Sequence, residues 1–341
     1  MFGWMGKYLR VNLTEGKIKE EPLDEQWAKT WLGGSGFGAR LLYDEVPPNI
    51  DEFDEKNKLY FFTGPLSGGL PCSSRFTVVF KSPVSHGYGE ANSGGYFAVE
   101  MKRAGYDGIV IEGKSDKPVY LWVKDGEAEL RDASNIWGQG TFKTQEMIQE
   151  EVGDKKARVL CIGPAGEKKS KLACIINDEA RALGRGGSGA VMGSKNLKAI
   201  AVRGHGRVKL ADPEALRAIA KSVPGRIRRS ATATLLQDLG TAGFVRYQNA
   251  DGGLPTRNFA GGFFEGAEKI DGVPMHERYH VKSTSCYACA VRCKQVIAAQ
   301  EPYPIDPAYG GPEMEGLSAL GAYTGVSDLA AVCKANELCN R

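Results

Sequence analysis

A chain of 341 residues with 42% hydrophobic and 25% charged residues has room for two domains and an ordinary globular composition, which excludes a disordered chain, a collagen-like repeat and a coiled coil. The formal net charge is only +3 and no long Lys/Arg tract occurs, so no nucleic-acid partner is expected. No uncharged run approaches the roughly 18 residues of a membrane span, and the polar start MFGWMGKYLRVNLTEGK is unlike a signal peptide, so a cytoplasmic location is expected.

Strand-length runs rich in Val, Ile, Phe or Tyr recur at 8–13, 59–63, 76–80, 108–112, 119–123, 159–162, 172–176 and 199–202. Helical composition between them is limited to 38–45, 96–104 and 143–152, the last with Gly153 in the C′ position. This half therefore reads as α+β with antiparallel or mixed sheets. Near Lys209 the character changes: Asp212 offers an N-cap, Pro213 a first helical residue, and Pro224-Gly225 a stop. Further helices are expected over 230–239, 312–324 and 326–338, the last capped by Ser327 or Asp328. The expected division is a β-rich domain at 1–210 and a mainly helical domain at 211–341.

Two excesses carry the chemistry. The chain has 44 glycines, nearly twice the usual share of about 7%, and eight cysteines. Cys286, Cys289 and Cys293 form C-x2-C-x3-C, offsets that on a helix fall near about 0°, 300° and 340° and put three thiols on one face. Three converging thiolates suit zinc or an iron–sulfur cluster. Zinc is the second choice, because Cys-rich zinc sites usually pair two C-x2-C units. An iron–sulfur cluster with three local ligands and one remote ligand is the preferred reading. Cys161 and Cys174 fall in β-type runs, where a free cysteine is usually a small buried hydrophobe.

Three glycine-rich segments are built to bring backbone N–H groups near an anion: 33–38, Asn92-Ser93-Gly94-Gly95, and 181–189. The third adds Arg181 and Arg185, suited to bidentate phosphate contact. No Walker-type P-loop is present. Gly184, Gly186 and Gly189 spell G-x-G-x-x-G, but a polar stretch separates them from the preceding strand, which a dinucleotide fingerprint does not allow.

Glu313 and Glu315 follow Pro312, expected at the first helical position, so both would sit in a first turn that favours acids. Two residues apart, they face about 200° away from each other, and at most one is expected to face a site. His276 and His280 complete a literal H-E-x-x-H, but the helix there is expected to be too short for a zinc protease site; exposed histidines are the plainer reading.

Taken together, YLRVNLTEGKI, TGPLSGGLPCSSRF, ANSGG, KRAGYDGIVIEGK, RALGRGGSGAVMGSKNLKAI, C-x2-C-x3-C and GPEME resemble the tungsten-containing aldehyde ferredoxin oxidoreductases, in the same order along essentially the whole chain. The resemblance implies an N-terminal two-sheet domain forming a base under a tungstopterin, a tungsten or molybdenum atom held by two pterin dithiolenes, with magnesium bridging the pterin phosphates. It implies an incomplete, mainly α-helical domain following it, and a [4Fe-4S] cluster passing electrons to ferredoxin.

By motif, Arg75, Asn92, Gly94, Arg181, Ala182, Gly184 and Arg185 match the family's pterin contacts, and Cys286, Cys289 and Cys293 match three cluster ligands. The family's PEYE segment, which supplies a glutamate near the metal, reads PEME here, with Glu313 favoured over Glu315 as the catalytic carboxylate. Family members are nearly twice as long, so the fourth cluster cysteine and later pterin segments are expected elsewhere. The chain is thus expected to be an N-terminal fragment or one subunit of a split pair. The implied activity is oxidation of an aldehyde to the carboxylic acid, in a homodimer or with a partner chain supplying the C-terminal half. The alternatives are an aromatic acyl-CoA reductase of the same superfamily and a non-catalytic fragment.

Overall fold

A computed structural model of the chain describes residues 1–178 and 180–341. By its internal contacts the chain divides into two units, Met1–Arg217 and Ala218–Arg341.

Among the described residues, twelve strands build the first unit: β1 Lys7–Asn12, β2 Lys17–Pro22, β3 Leu59–Thr63, β4 Phe76–Lys81, β5 Tyr88–Ser93, β6 Gly108–Glu112, β7 Val119–Lys124, β8 Glu127–Asp132, β9 Arg158–Cys161, β10 Ile175–Asn177, β11 Arg181–Leu183 and β12 Leu197–Arg203. They form two six-stranded mixed sheets, in the orders β2-β1-β6-β3-β4-β5 and β11-β10-β9-β12-β7-β8. β1 runs parallel to β6 and β12 parallel to β7, while the other pairs are antiparallel. The α+β class with two N-terminal sheets and helices after them is therefore what the molecule adopts.

The apolar runs explain the layering, because successive side chains on a strand point to opposite faces. Leu59 and Phe61 of β3, Leu121 and Val123 of β7, and Ile200 and Val202 of β12 meet in one core shared by both sheets. Their neighbours point outward: Tyr60 and Phe62 pack under the helices Glu25–Trp31 and Ser35–Glu45, and Tyr120 and Trp122 pack under the helix Thr141–Glu151. Each strand is thus buried on both faces and reads as continuous apolar sequence; a buried Phe or Leu contributes about 1.5–3 kcal/mol.

Two expectations need correction here. The run at 172–176 is a strand only from Ile175, because Leu172 is 85% exposed, and Cys174 precedes the strand. β2, β5, β8 and β11 are polar or short edge-region strands that the apolar patterning does not mark. The first glycine run is a packing device: a Cβ on Gly33 would come 2.4 Å from the Thr63 carbonyl, and one on Gly38 would come 2.5 Å from Val79. Those glycines seat the helix Ser35–Glu45 on the sheet.

Asp212 caps the helix Pro213–Arg228 through the N–H groups of Glu214 and Ala215. That helix continues through Pro224 rather than stopping there. None of its residues is buried, so water can satisfy the carbonyl that the proline leaves unbonded.

The second unit contains the helices Ala231–Leu239, Val245–Ala250, Gly272–Tyr279 and Leu329–Asn340, capped by Ser230 and Asp328 at the first and last of them. They surround Val245, Ile270, Met275, Ile297, Leu317 and Val332. It also holds a hairpin, β13 His280–Thr284 and β14 Lys294–Ile297. No helix among the described residues is long and apolar enough to cross a membrane.

Candidate cofactor and cluster site

β5 ends one sheet and β11 ends the other, and these two edges lie against each other. Asn177, at the end of β10, ties them: its Nδ2 donates to Ser93 Oγ at 2.9 Å and to the Gly94 carbonyl at 2.8 Å. Residues far apart in sequence thereby gather at one rim. Arg75, just before β4, donates from Nη1 to Asn92 Oδ1 on β5, and both side chains are exposed. Ala182 of β11, Gly184 and Arg185 are exposed as well, and Arg181 is half-buried.

A buried carboxylate supports this rim. Asp178 accepts from the N–H groups of Tyr96 and Phe97, the latter at 3.1 Å, and Arg158 approaches it at 3.6 Å while its guanidinium lies 4.3 Å from the centre of the Tyr96 ring. Burial pushes the Asp178 carboxyl above its ordinary range, opposed chiefly by the charge of Arg158. Arg181 Nη1 donates to the Asp178 carbonyl at 3.0 Å. Gly95, at φ +94°, has to be glycine because a Cβ would come 2.5 Å from Asp178 Oδ2.

The third glycine run sorts into two kinds. Gly187 at φ +80° and Gly189 are forced by the protein's own backbone, since a Cβ would come 2.6 Å from the Lys171 carbonyl or 2.4 Å from the Cys174 carbonyl. Ser82 Oγ also donates to the Gly186 carbonyl at 2.7 Å and fixes the loop to the end of β4. Gly184 is different: a Cβ there would meet nothing nearer than 3.7 Å. Its missing side chain leaves an open cradle beside Arg185.

Two observations fit a polar, phosphate-bearing cofactor at this rim. One is the Gly184 cradle next to arginine. The other is Asn177 Oδ1, a buried acceptor without a partner among the described residues. Asn177 and Asp178 were not among the expected site residues. Their only sequence signal is a polar stretch directly after an apolar strand.

In the second unit, the cysteine motif lies in the loop joining β13 to β14, not on a helix, with Ala288 and Arg292 at positive φ. All three thiols are half-buried. Burial pushes the Cys293 thiol up, and Glu313, Cys286 and Cys289 add to that, so the three thiols lie within electrostatic reach of one another. No group of three or more His, Cys, Asp or Glu side chains among the described residues is gathered tightly enough to hold a single metal ion. An all-thiol donor set in a half-buried loop fits a cluster, whose bound iron would favour the thiolate forms. By contrast, burial drives Cys161 and Cys333 to about 12, which makes them inert core residues.

Glu313 is the N-cap of the short helix Met314–Leu317, so Pro312 lies outside that helix and only Glu315 is in its first turn. The carboxylate of Glu313 accepts from Thr241 Oγ1 at 2.5 Å and pairs with Lys294 Nζ at 3.3 Å. Glu315 is exposed. Thr241 and Lys294 could not be recognised from sequence, since each reaches Glu313 only through the fold. The rings of His276 and His280 stack at 4.3 Å, and His280 Nε2 bonds Ser283 Oγ at 3.1 Å. Burial first, then the charge of His276, lowers the His280 pKa. His280 is thus half-buried rather than freely solvated.

Comparison with known proteins matches residues 8–204 to the N-terminal domain of aldehyde ferredoxin oxidoreductase and residues 218–341 to its domains 2 and 3. The chain is 46% identical to the tungsten-containing aldehyde ferredoxin oxidoreductase of Pyrococcus horikoshii, over 99% of this chain and 55% of that protein. It is 44% identical to the Pyrococcus furiosus protein of the same name, over 100% of this chain and 56% of that protein. A solved structure of the BamBC active-site complex of benzoyl coenzyme A reductase with 1,5-dienoyl-CoA aligns at a TM-score of 0.84 and 28% identity, covering 98% of this chain and 53% of that one. The chain therefore spans about half the length of these relatives. With matches to both parts of the family model and such identities along its whole length, the chain belongs to the aldehyde ferredoxin oxidoreductase family.

Proposed function

We propose that the protein is a tungsten- or molybdenum-pterin oxidoreductase that converts an aldehyde to the carboxylic acid. The observation that carries this reading is the assembly of Arg75, Asn92, Gly94, Arg181, Ala182, Gly184 and Arg185 at two adjoining sheet edges. The pterin-bound metal supplies a Lewis acid and a two-electron acceptor. In the overall balance, aldehyde plus water gives acid, two protons and two electrons.

The residues of this chain have simpler tasks. Arg181 and Arg185 bind cofactor phosphate, with Gly184 admitting it close to the backbone. Asn177 Oδ1, a buried acceptor without a partner among the described residues, accepts a hydrogen bond from the cofactor. Glu313, oriented by Thr241, takes a proton from water or the aldehyde hydrate. Glu315, exposed in the first turn, is the weaker candidate for that role. Cys286, Cys289 and Cys293 hold a [4Fe-4S] cluster that relays single electrons to ferredoxin.

Changing Arg185 to Ala tests the anion site: bound pterin falls in the purified protein, whereas unchanged pterin content would refute this placement. The structural likeness to BamBC favours a second reading, reduction of an aromatic thioester, and Met314 in place of the family's Tyr alters the same segment. Assays with an aldehyde and a viologen acceptor, against an aromatic acyl-CoA and a reduced viologen, separate the two.

A further inference from the structure

The 3-10 turn Gly240–Phe244 meets the cysteine loop at Cys293. Gly240, at φ +65°, lies so close that a Cβ there would stand 2.8 Å from the Cys293 carbonyl. Its neighbour Thr241 donates to Glu313 Oε2 at 2.5 Å and accepts the Met314 N–H at 3.0 Å, so the carboxylate and its own helix start are held together. On the other side Lys294, the residue after Cys293, brings Nζ to 3.3 Å from Glu313 Oε1 and to 3.3 Å from the Gly311 carbonyl. Both carboxylate oxygens are therefore held by residues that adjoin Cys293, one along the chain and one through packing. The Lys294 side chain is 10% exposed and that of Glu313 39%.

We propose that, in the resting protein before substrate is turned over, Glu313 and Lys294 form a charge pair that sets the reduction potential of the cluster at its Cys293 corner, the carboxylate lowering it and the ammonium raising it. This rests on the reading of Cys286, Cys289 and Cys293 as cluster ligands. Reduction adds an electron to the cluster, so a fixed negative charge beside it disfavours reduction and a fixed positive charge favours it. Lys294 is the more buried partner, so solvent screens its charge less. The ion pair itself is a modest stabiliser because one partner is open to water. Its position against the cysteine loop is what gives it leverage over electron flow.

The test is a potentiometric titration of anaerobically purified holoprotein, followed by the electron paramagnetic resonance signal of the reduced cluster. Lys294→Met moves the midpoint to lower potential, Glu313→Gln moves it to higher potential, and Lys294→Arg keeps the wild-type value. Midpoints that stay put, or that move in the same sense in Lys294→Met and Glu313→Gln at wild-type iron content, overturn the proposal. Should Lys294→Met not load iron, Lys294→Gln takes its place and the same opposite signs are required. A wild-type protein with no reducible cluster refutes the cluster reading itself, which is a separate and recognisable failure.

Discussion

Gly95 and Gly184 sit at the same rim and are glycines for opposite reasons. Gly95 adopts φ +94° with Asp178 against the position of a Cβ, so its identity is dictated by the protein's own packing. Gly184 has open space there and no positive φ. Gly95→Ala is therefore expected to cost on the order of 2–3 kcal/mol in a denaturant titration, through backbone strain and displacement of Asp178. Gly184→Ala is expected to change stability by less than about 1 kcal/mol while reducing bound pterin. A Gly184→Ala protein that keeps its full pterin content would show that the cradle does not face the cofactor. The sequence displays both residues alike, as members of glycine runs. What separates them, the atoms that a Cβ would meet, comes from residues some eighty positions away for Gly95, where Asp178 closes on it only in the folded sheet pair.

At the scale of elements, Lys195 shows how the fold uses buried polarity. It caps the end of the helix Ser188–Ser194 and donates to the carbonyls of Glu55 at 3.1 Å and Gly113 at 2.9 Å, fastening two distant loops. Burial lowers its pKa from 10.5 to about 7, and a neutral amine has two N–H groups for those two carbonyls. Between about pH 7 and 10.5 the unfolded chain holds this proton and the folded chain does not. In that window Lys195 makes the unfolding free energy rise with pH, and below about 7 its contribution levels off. Urea unfolding of wild type and Lys195→Met at about pH 7 and about pH 9.5 reads this directly: the difference between them shifts in favour of wild type at the higher pH. A difference independent of pH would mean that Lys195 keeps its proton in the fold.

Most of the strands legible in sequence are those buried on both faces, with the partly exposed β1 legible as well. β3, β4, β6, β7, β9 and β12 announce themselves because every side chain along them is apolar or nearly so. β5, with the sequence YGEANS, does not, because its pairing is set by the register with β4 and its polar residues face the rim. The helix Ser188–Ser194 is hidden for the converse reason. Its sequence SGAVMGS has weak helical propensity and is held by complete burial, with Gly193 backed directly onto the Gly166 carbonyl. The cysteine spacing equally suits a helix and a loop, and the hairpin formed by β13 and β14 decides for the loop. The resemblance in motifs identified the rim residues one by one, but the support from Asn177 and the clamp of Thr241 and Lys294 on Glu313 arise only from tertiary contact.

For the whole molecule, the account rests on two separate assemblies. In the first unit, two sheet edges meet and place arginine, asparagine and glycine backbone on one exposed rim. In the second, three thiols share a loop flanked by Glu313 and Lys294. By its own chemistry the first assembly suits an anion and the second a soft metal, and the proposed pterin-metal oxidoreductase requires both. The most direct measurement is elemental analysis of anaerobically purified holoprotein. The account predicts tungsten or molybdenum together with about four iron atoms per chain. Zinc as the only bound metal would contradict it.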